Sequence, residues 1–326
     1  MELNCFAIKI KEYEKSLDSV YKKENGIFYT DIDLSEKIIK FLNIPITATV
    51  MDPCCGTGSF LISAKHLGYS FVYGADIDKG AVSTFKKFNK VENVKVIDTL
   101  ANTGQQTLKQ FNLKEPIDFV IGNPPYSPIT KDIVIDTKDY LFLRNVKDSG
   151  SNLFVAALYR AFELAKTEGT ISYIIPKNFL HVASYSVLRR MVLNQKQVVS
   201  IVDIGRYFKN VRGEQIVITL KNRFAQNNSI EMYKYENKEF VKKLEVPQKF
   251  FKDEILIFEN EKDFKIYKTL EGTYQKFSDI CTGYVGRGKS KDNAAIVGKE
   301  IRKFSFKKTP VPKKGNKVFI QNIYSA

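Results

Sequence analysis

Residues 117–126 read Ile-Asp-Phe-Val-Ile-Gly-Asn-Pro-Pro-Tyr, an apolar run closed by a polar, proline-rich tetrapeptide. Ile117, Phe119, Val120 and Ile121 form the short continuous apolar run expected of a strand buried on both faces of a parallel sheet. The strand must stop where it does. Pro124 and Pro125 cannot donate to a sheet ladder, and Asn123, restricted by the proline after it, is pushed toward an extended backbone. Ligands of open α/β sheets bind beyond the carboxyl ends of the strands, which puts Asn123 and Tyr126 where chemistry is done. By itself the tetrapeptide is also legible as a proline-stiffened loop, so the residues around it decide.

Upstream, the stretch Thr47–Met51 reads as a first buried strand running into DPCCGTGSF. Asp52 ends it, Gly56 and Gly58 allow positive φ or close backbone approach, and Ser59–His66 begins a helix whose free N–H groups face the loop. The spacing fits neither GxGxxG nor a phosphate loop, which needs a Gly-Lys-Ser/Thr; a tight turn that binds nothing is the plain alternative. Phe71–Ala75 is a second strand, ending at Asp76 and Asp78. A carboxylate there suits the two hydroxyls of a ribose, with Asp76 the better ligand and Asp78 a helix N-cap. A helix over 79–90 leads to a third strand, Val94–Ile97, ending at Asp98, which is placed to accept from an exocyclic amine. Before all of these, residues 3–23 read as an amphipathic helix, and Asp33 with Glu36 has the spacing of a capping box for the next helix.

The whole chain has 326 residues, 44% of them hydrophobic, and a formal net charge of +15. That length supports one large domain and a smaller one, and the charge implies a polyanionic partner. No apolar run is long enough to span a bilayer, and the N-terminus lacks the basic-then-apolar pattern of a signal peptide, so a cytoplasmic location is expected. Cys5, Cys54, Cys55 and Cys281 offer neither a CxxC pair nor a disulfide framework. With His66 and His181 as the only histidines, no metal site is expected.

GIFYT (26–30), DPCCGTGSF, GADID, VID and NPPY, in this order, resemble the motif series of S-adenosylmethionine-dependent N6-adenine DNA methyltransferases of restriction–modification systems, in their gamma-class ordering. The resemblance covers residues 24–222. It implies an α/β fold, a Rossmann-like methyltransferase domain with a mostly parallel central sheet, followed by a smaller C-terminal recognition region. It also implies the cofactor S-adenosyl-L-methionine, with Tyr29 and Thr30 near its methionine end. Asp52 and the Gly56–Gly58 loop would take its amino-acid moiety and sugar, Asp76 its ribose hydroxyls and Asp98 its adenine amine, with Pro53 and Ile77 also counted as cofactor-binding. Asn123, also beside the cofactor, and the Pro124 carbonyl would hold the target amine, with Pro125 stiffening the motif. Tyr126 would stack on the flipped base, and Phe208, in GRYFKNVRGEQIVITL, matches the aromatic that packs against that base; ordinary core packing is its alternative.

The chemistry agrees with these roles. An adenine N6 amine is a poor nucleophile because its lone pair is delocalised, and it is inaccessible within a duplex, so the base must be extruded. Two acceptors taking its two hydrogens favour a pyramidal nitrogen, and an aromatic face replaces lost stacking, worth about 1–3 kcal/mol per base. Cytosine C5 methylation would instead need a cysteine nucleophile, and Cys54 and Cys55 sit in the glycine loop.

The remaining chain is expected to divide into a helical leader (1–23), a catalytic domain (24–225) and a target-recognition region (226–326). Residues 127–150 read as a loop over the site and Asn227–Asn228 as a linker. From Cys281 onward eleven Lys or Arg face two acidic residues, and Arg287, Lys289, Lys291, Arg302 and Lys303 are the candidate contacts to double-stranded DNA. TGYVGRG and VGKEIRKFSF resemble the opening of the family's recognition region, which usually runs on beyond KVFIQNIYSA. A missing C-terminal segment or an additional recognition subunit is therefore expected. Other readings retained are methylation of RNA adenine or of protein glutamine, and a DNA-binding subunit inactive without a partner.

Overall fold

The structure is a computed structural model that describes residues 3–17, 29–89, 92–129, 152–208, 213–225, 227–273, 281–285 and 294–298. The chain forms two compact units, residues 1–260 and 261–326.

The first unit is built on a nine-stranded sheet. Its strands are β1 (Val50–Asp52), β2 (Val72–Asp76), β3 (Val94–Val96), β4 (Ile117–Gly122), β5 (Ala165–Pro176), β6 (Gln197–Gly205), β7 (Gln215–Lys221), β8 (Ser229–Glu236) and β9 (Glu239–Pro247). They lie in the order β3-β2-β1-β4-β5-β7-β6-β8-β9. From β3 to β5 all neighbours are parallel; β7 runs against β5 and β6, and β9 against β8. The chain starts at β1, steps outward to β2 and β3, then returns to β4 on the other side of β1. Strand order therefore reverses between β1 and β4, and the crevice outside their carboxyl ends is the expected ligand position.

The alternation along each strand explains how helices cover the sheet. Val50, Phe119 and Ile121 share a core with Leu34, Ile38 and Ile39 of α2 (Ile32–Leu42), Phe60 and Leu61 of α3 (Ser59–His66) and Phe85 of α4 (Lys79–Phe88). Phe6 and Ile10 of α1 (Leu3–Ser16) join it, Phe6 meeting Phe85 edge-on at 5.8 Å. The N-terminal helix is thus packed into the first unit. Further along, α5 (Gly104–Gln110) packs on α6 (Leu153–Leu164), which lies against β5, and α7 (Ser186–Gln195) lies against β6.

Several expected boundaries shift for identifiable reasons. β1 begins at Val50 because Pro45–Ala48 closes a turn and Thr49 is engaged by Asp118, which accepts from both its N–H (2.9 Å) and its hydroxyl (2.8 Å). The cap of α2 is Asp31, not Asp33: Asp31 Oδ1 accepts from Leu34 N at 2.9 Å, while Asp33 pairs with Lys37 one turn on. Asn228 is no linker. Its side chain donates to Val198 O and Gln248 Oε1 and accepts from Gln197, and the buried Gln248 in turn receives Val198 N and donates to Leu193 O and Lys196 O. This polar joint fastens β8 and β9 to the main sheet, so residues 229–247 extend that sheet, and the division falls at 260/261 where the composition suggests 225/226. The turn between them, Asn237–Lys238, has positive φ at both residues, as a two-residue hairpin requires.

The second unit contains α8 (Glu261–Thr273) and an antiparallel pair, β10 (Cys281–Val285) with β11 (Ala294–Gly298). Arg287, Lys289, Lys291, Arg302 and Lys303 lie outside the described residues, as do residues 130–150 of the expected loop over the site. Among the described residues, no helix is long and apolar enough to cross a membrane.

Candidate active site

The glycine loop after β1 is shaped by backbone hydrogen bonds. Cys55 N donates to Ala75 O of β2 at 2.8 Å and Gly58 N to Cys55 O at 2.8 Å, curling residues 52–58 over the strand ends. Both glycines have positive φ, +51° at Gly56 and +84° at Gly58, and both are also required by packing. A Cβ on Gly56 would sit 2.8 Å from the Tyr29 ring, and one on Gly58 would overlap Phe85 at 2.2 Å. Gly56 is where the chain around Tyr29 lies on the loop; Gly58 seats α3 on α4.

Carboxylates gather around this loop. Asp76 Oδ2 accepts from Gly56 N at 2.6 Å and its Oδ1 from Asp78 N at 2.8 Å. Asp78 is the N-cap of α4, accepting from Gly80 N and Ala81 N, and its other oxygen takes the Tyr13 hydroxyl at 3.0 Å. Asp98 Oδ1 accepts from Leu100 N and Ala101 N, each at 3.0 Å, and fixes the turn after β3. Thr99 Oγ1 ties that turn to Pro53 O at 2.9 Å, and the buried Arg160 of α6 donates to Thr99 O.

A cavity of about 230 Å³ opens between these elements. Tyr29, Thr30, Asp52, Pro53, Gly56, Asp76, Ile77, Asp98, Asn123 and Pro125 all line it, joined by Thr57, Asp78, Thr99 and Leu153. Gly58, Pro124, Tyr126 and Phe208 are outside its lining. Among the described residues no Lys, Arg or His lines it, so the wall is acidic, which disfavours a pyrophosphate and suits a ligand carrying positive charge and hydroxyls. Burial pushes the Asp52 carboxyl well above the usual range, opposed by the Cys54 N–H at 3.0 Å; burial raises Asp76 as well. Burial likewise pushes the Cys54 and Cys55 thiols up, keeping them protonated and poor as nucleophiles. Ile77 leaves 69% of its surface exposed, an apolar face for a flat ring.

The donor set of this wall fits S-adenosylmethionine. The Thr30 and Thr57 hydroxyls are buried, line the cavity and find no hydrogen-bond partner among the described residues. Buried polar atoms left in this way demand a ligand or water. Together with the buried Asp52 and the half-buried Asp76, carboxylates that have no cationic side chain beside them in the described lining, they match a molecule that is cationic at one end and bears a ribose at its centre.

The Asn-Pro-Pro-Tyr tetrapeptide forms one rim. It is fastened from β5 and α6: Asn152 Nδ2 donates to Tyr126 O at 2.6 Å, and Leu153 N to Ser127 O at 2.9 Å. The half-buried Tyr126 turns its hydroxyl inward, toward Asn123 Oδ1 and toward Ile174 O at 3.0 Å, and burial pushes the phenol up. Phe208 is half-buried in the loop after β6, edge-on to Tyr207 at 5.4 Å, and packs on the core without entering the cavity. Lys177 braces that side of the sheet, its Nζ 2.7 Å from both Asp203 and Glu214.

One functional residue escapes a reading of the sequence. Gly122, the last residue of β4, has no need of positive φ, yet a Cβ there would meet Asp52 Oδ1 at 2.6 Å and Cγ at 3.1 Å. The two strand ends are neighbours, and only the register reveals the contact. Gly122→Ala should push the short, buried Asp52 side chain out of place and weaken S-adenosylmethionine binding by on the order of tenfold or more. Calorimetric titration checks this, and an unchanged Kd contradicts the role given to Asp52.

Known proteins share this architecture. A Listeria monocytogenes protein assigned to the class I S-adenosylmethionine-dependent methyltransferases superposes with a TM-score of 0.51, covering 72% of this chain and 75% of that one at 15% identity. The fold is that of the S-adenosylmethionine-dependent methyltransferases. The chain matches the family model for N-6 DNA methylases over residues 11–280, and it belongs to that family. Type II methyltransferase M.VspI from Vibrio sp. (strain 343) is 29% identical over 203 residues, 61% of this chain and 48% of that protein. Modification methylase CviBIII of Paramecium bursaria Chlorella virus NC1A is 26% identical over 190 residues, 56% of this chain and 46% of that protein. A tRNA (guanine(10)-N2)-dimethyltransferase of Methanocaldococcus jannaschii is 29% identical over 166 residues, 47% of this chain and 44% of that protein. The chain spans about half the length of these curated relatives.

Proposed function

We propose that the chain transfers the methyl group of S-adenosyl-L-methionine to N6 of an adenine flipped out of double-stranded DNA, as the modification enzyme of a restriction–modification system in the cytoplasm. The observation that carries this reading is the shared wall: Asn123 and Pro125 line the same acidic cavity as Asp52 and Asp76. An acceptor for an amine is thereby set beside a pocket suited to a cationic nucleoside.

When bound, the cofactor supplies an electrophilic methyl group. Asp52 and the 53–58 loop hold its amino-acid end, with Tyr29 and Thr30 alongside. Asp76 accepts from the ribose hydroxyls, Ile77 covers a face of the adenine and Asp98 accepts from its amine. On the other rim Asn123 Oδ1 and the Pro124 carbonyl would accept hydrogen bonds from the two N–H groups of the target amine, favouring a pyramidal nitrogen with its lone pair drawn out of the ring; one of the two protons leaves N6 once it is methylated and the other stays. This is catalysis by positioning and electrostatics, with no covalent link to the protein. Tyr126, anchored through its hydroxyl, offers its ring to the extruded base, and Phe208 packs against the base from the loop after β6.

Binding to DNA draws on the basic C-terminal residues Arg287, Lys289, Lys291, Arg302 and Lys303. Removing residues 281–326 should weaken DNA binding and flatten its salt dependence, by about 0.9 in the slope of log K against log salt for each phosphate no longer neutralised. An unchanged slope contradicts that assignment. A further recognition segment or subunit supplies the rest of the target contacts, in keeping with curated relatives of which the chain spans about half.

A second reading, an exocyclic amine in RNA, is favoured by the similarity to a tRNA guanine-N2 methyltransferase. Labelled S-adenosylmethionine offered with unmethylated DNA, RNA and protein together separates the two. Label is expected in DNA; label confined to RNA or protein contradicts the DNA reading.

A further inference from the structure

The helix that follows the cofactor segment is clasped at both ends by the base-side half of the sheet. At its N-terminus Asp31 serves two partners: Oδ1 caps the helix through Leu34 N at 2.9 Å, and Oδ2 accepts from the Tyr207 hydroxyl at 2.7 Å, across 176 residues of sequence. Tyr207 comes from the loop after β6, immediately before Phe208, and the two rings meet edge-on. At the other end Phe41 lies edge-on to Tyr233 of β8 (4.8 Å) and to Phe240 of β9 (5.1 Å). Tyr235 closes the circuit, 5.5 Å from Phe240 and 5.8 Å from Tyr207. The ring contacts are ordinary packing that any apolar residue could approximate. The Tyr207–Asp31 bond is different: it is directional, it ends on a carboxylate, and Asp31 directly follows Thr30, whose orphaned hydroxyl belongs to a residue lining the cofactor cavity.

We propose that Tyr207 is a positioning residue for the cofactor site: through Asp31 its hydroxyl fixes the Tyr29–Thr30 backbone against the loop that presents Phe208. One hydrogen bond then joins the wall that holds the cofactor to the loop that meets the target base. A ligand that orders either side finds the other already aligned, and by linkage each side must influence the other equally. The proposal rests on the cofactor reading given above.

The test is a double-mutant cycle on the full chain. Tyr207→Phe keeps the ring and deletes the donor. Asp31→Ser keeps a helix cap but is too short to reach Tyr207. Each single variant should raise the Kd for S-adenosylmethionine by on the order of tenfold with little change in Tm, and the double variant should be no worse than either, because both remove the same bond. The turnover rate at saturating cofactor should stay near that of the unaltered chain, so that the loss appears in KM. Asp31→Asn, which can bond at both positions, should restore affinity. Additive effects, a Kd unchanged in the single variants, or a Tm that falls in step with the affinity would each overturn the positioning role. An unaltered chain that binds no S-adenosylmethionine would overturn the cofactor reading and this proposal with it.

Discussion

Asn123→Ala is expected to remove methyl transfer, by on the order of 10²–10³-fold or more, while the Kd for S-adenosylmethionine stays within about threefold of its original value. The size follows from the role: a preorganised group that meets charge developing in the transition state is worth a factor of that order when deleted. The selectivity follows from position. Asn123 is one residue on the rim of a cavity whose floor is made by Asp52, Asp76, Asp98 and the glycine loop, and each of those carboxylates is held by backbone N–H groups of its own neighbourhood. Removing the Asn123 side chain also releases the Tyr126 hydroxyl, but Ile174 O still holds that group, so the tetrapeptide keeps its anchor. A matched loss of cofactor binding and transfer would show that Asn123 shapes the cofactor pocket rather than the amine. Transfer that persists would show that the amine is held elsewhere.

The second large effect is at Asp52. Its carboxyl is buried with the Cys54 N–H as a local donor, and burial raises its proton affinity in the folded chain. The sign of the linkage follows: a carboxyl whose folded pKa lies above its unfolded value binds protons more tightly in the native state, so stability is lost as pH rises through that value. Ionising this carboxyl therefore costs the free chain stability, a cost that the cationic end of the cofactor would offset. Asp52→Asn keeps the shape and the acceptor for Cys54 N while removing the charge. It should raise the Tm of the free chain at neutral pH and lower S-adenosylmethionine affinity by on the order of 10–100-fold, the range for a charge-assisted hydrogen bond. In the unaltered chain the affinity should fall on acidification at a pH above the ordinary carboxylate range, since binding must then displace a proton. That dependence should be weaker in Asp52→Asn, with the remainder due to the raised Asp76. Thermal melts and titration calorimetry across roughly pH 5–8 measure both arms, and an Asn variant with lower Tm and unchanged affinity contradicts the assignment.

How much of this could be read from the sequence depends on which forces act locally. The central strands carry their burial in their own composition, so Ile117–Gly122 is legible as a strand, and prolines after Asn123 mark its end without tertiary information. The cofactor loop is legible for the same reason, because two glycines and a helix start have to follow a buried strand closely. The outer strands are another matter. Whether 229–247 pairs with β6 is decided by Asn228 and Gln248, polar residues that look like linker and surface until the partners across the joint are known. The helix cap at Asp31 is obscured by Asp33 and Glu36, which have the right spacing but spend their charge on lysines a turn away. Gly122 is illegible in principle, since its role is to admit a carboxylate from the neighbouring strand. The inward turn of the Tyr126 hydroxyl, too, depends on Ile174, a residue 48 positions on.

An amine acceptor set beside a cofactor pocket is tested most directly by identifying the methylated nucleoside. Unmethylated DNA is incubated with the chain and labelled S-adenosylmethionine, then digested to nucleosides and separated. Label is expected in N6-methyladenine, with none above background for Asn123→Ala. Label in another nucleoside, or the same yield from both proteins, would contradict the assignment.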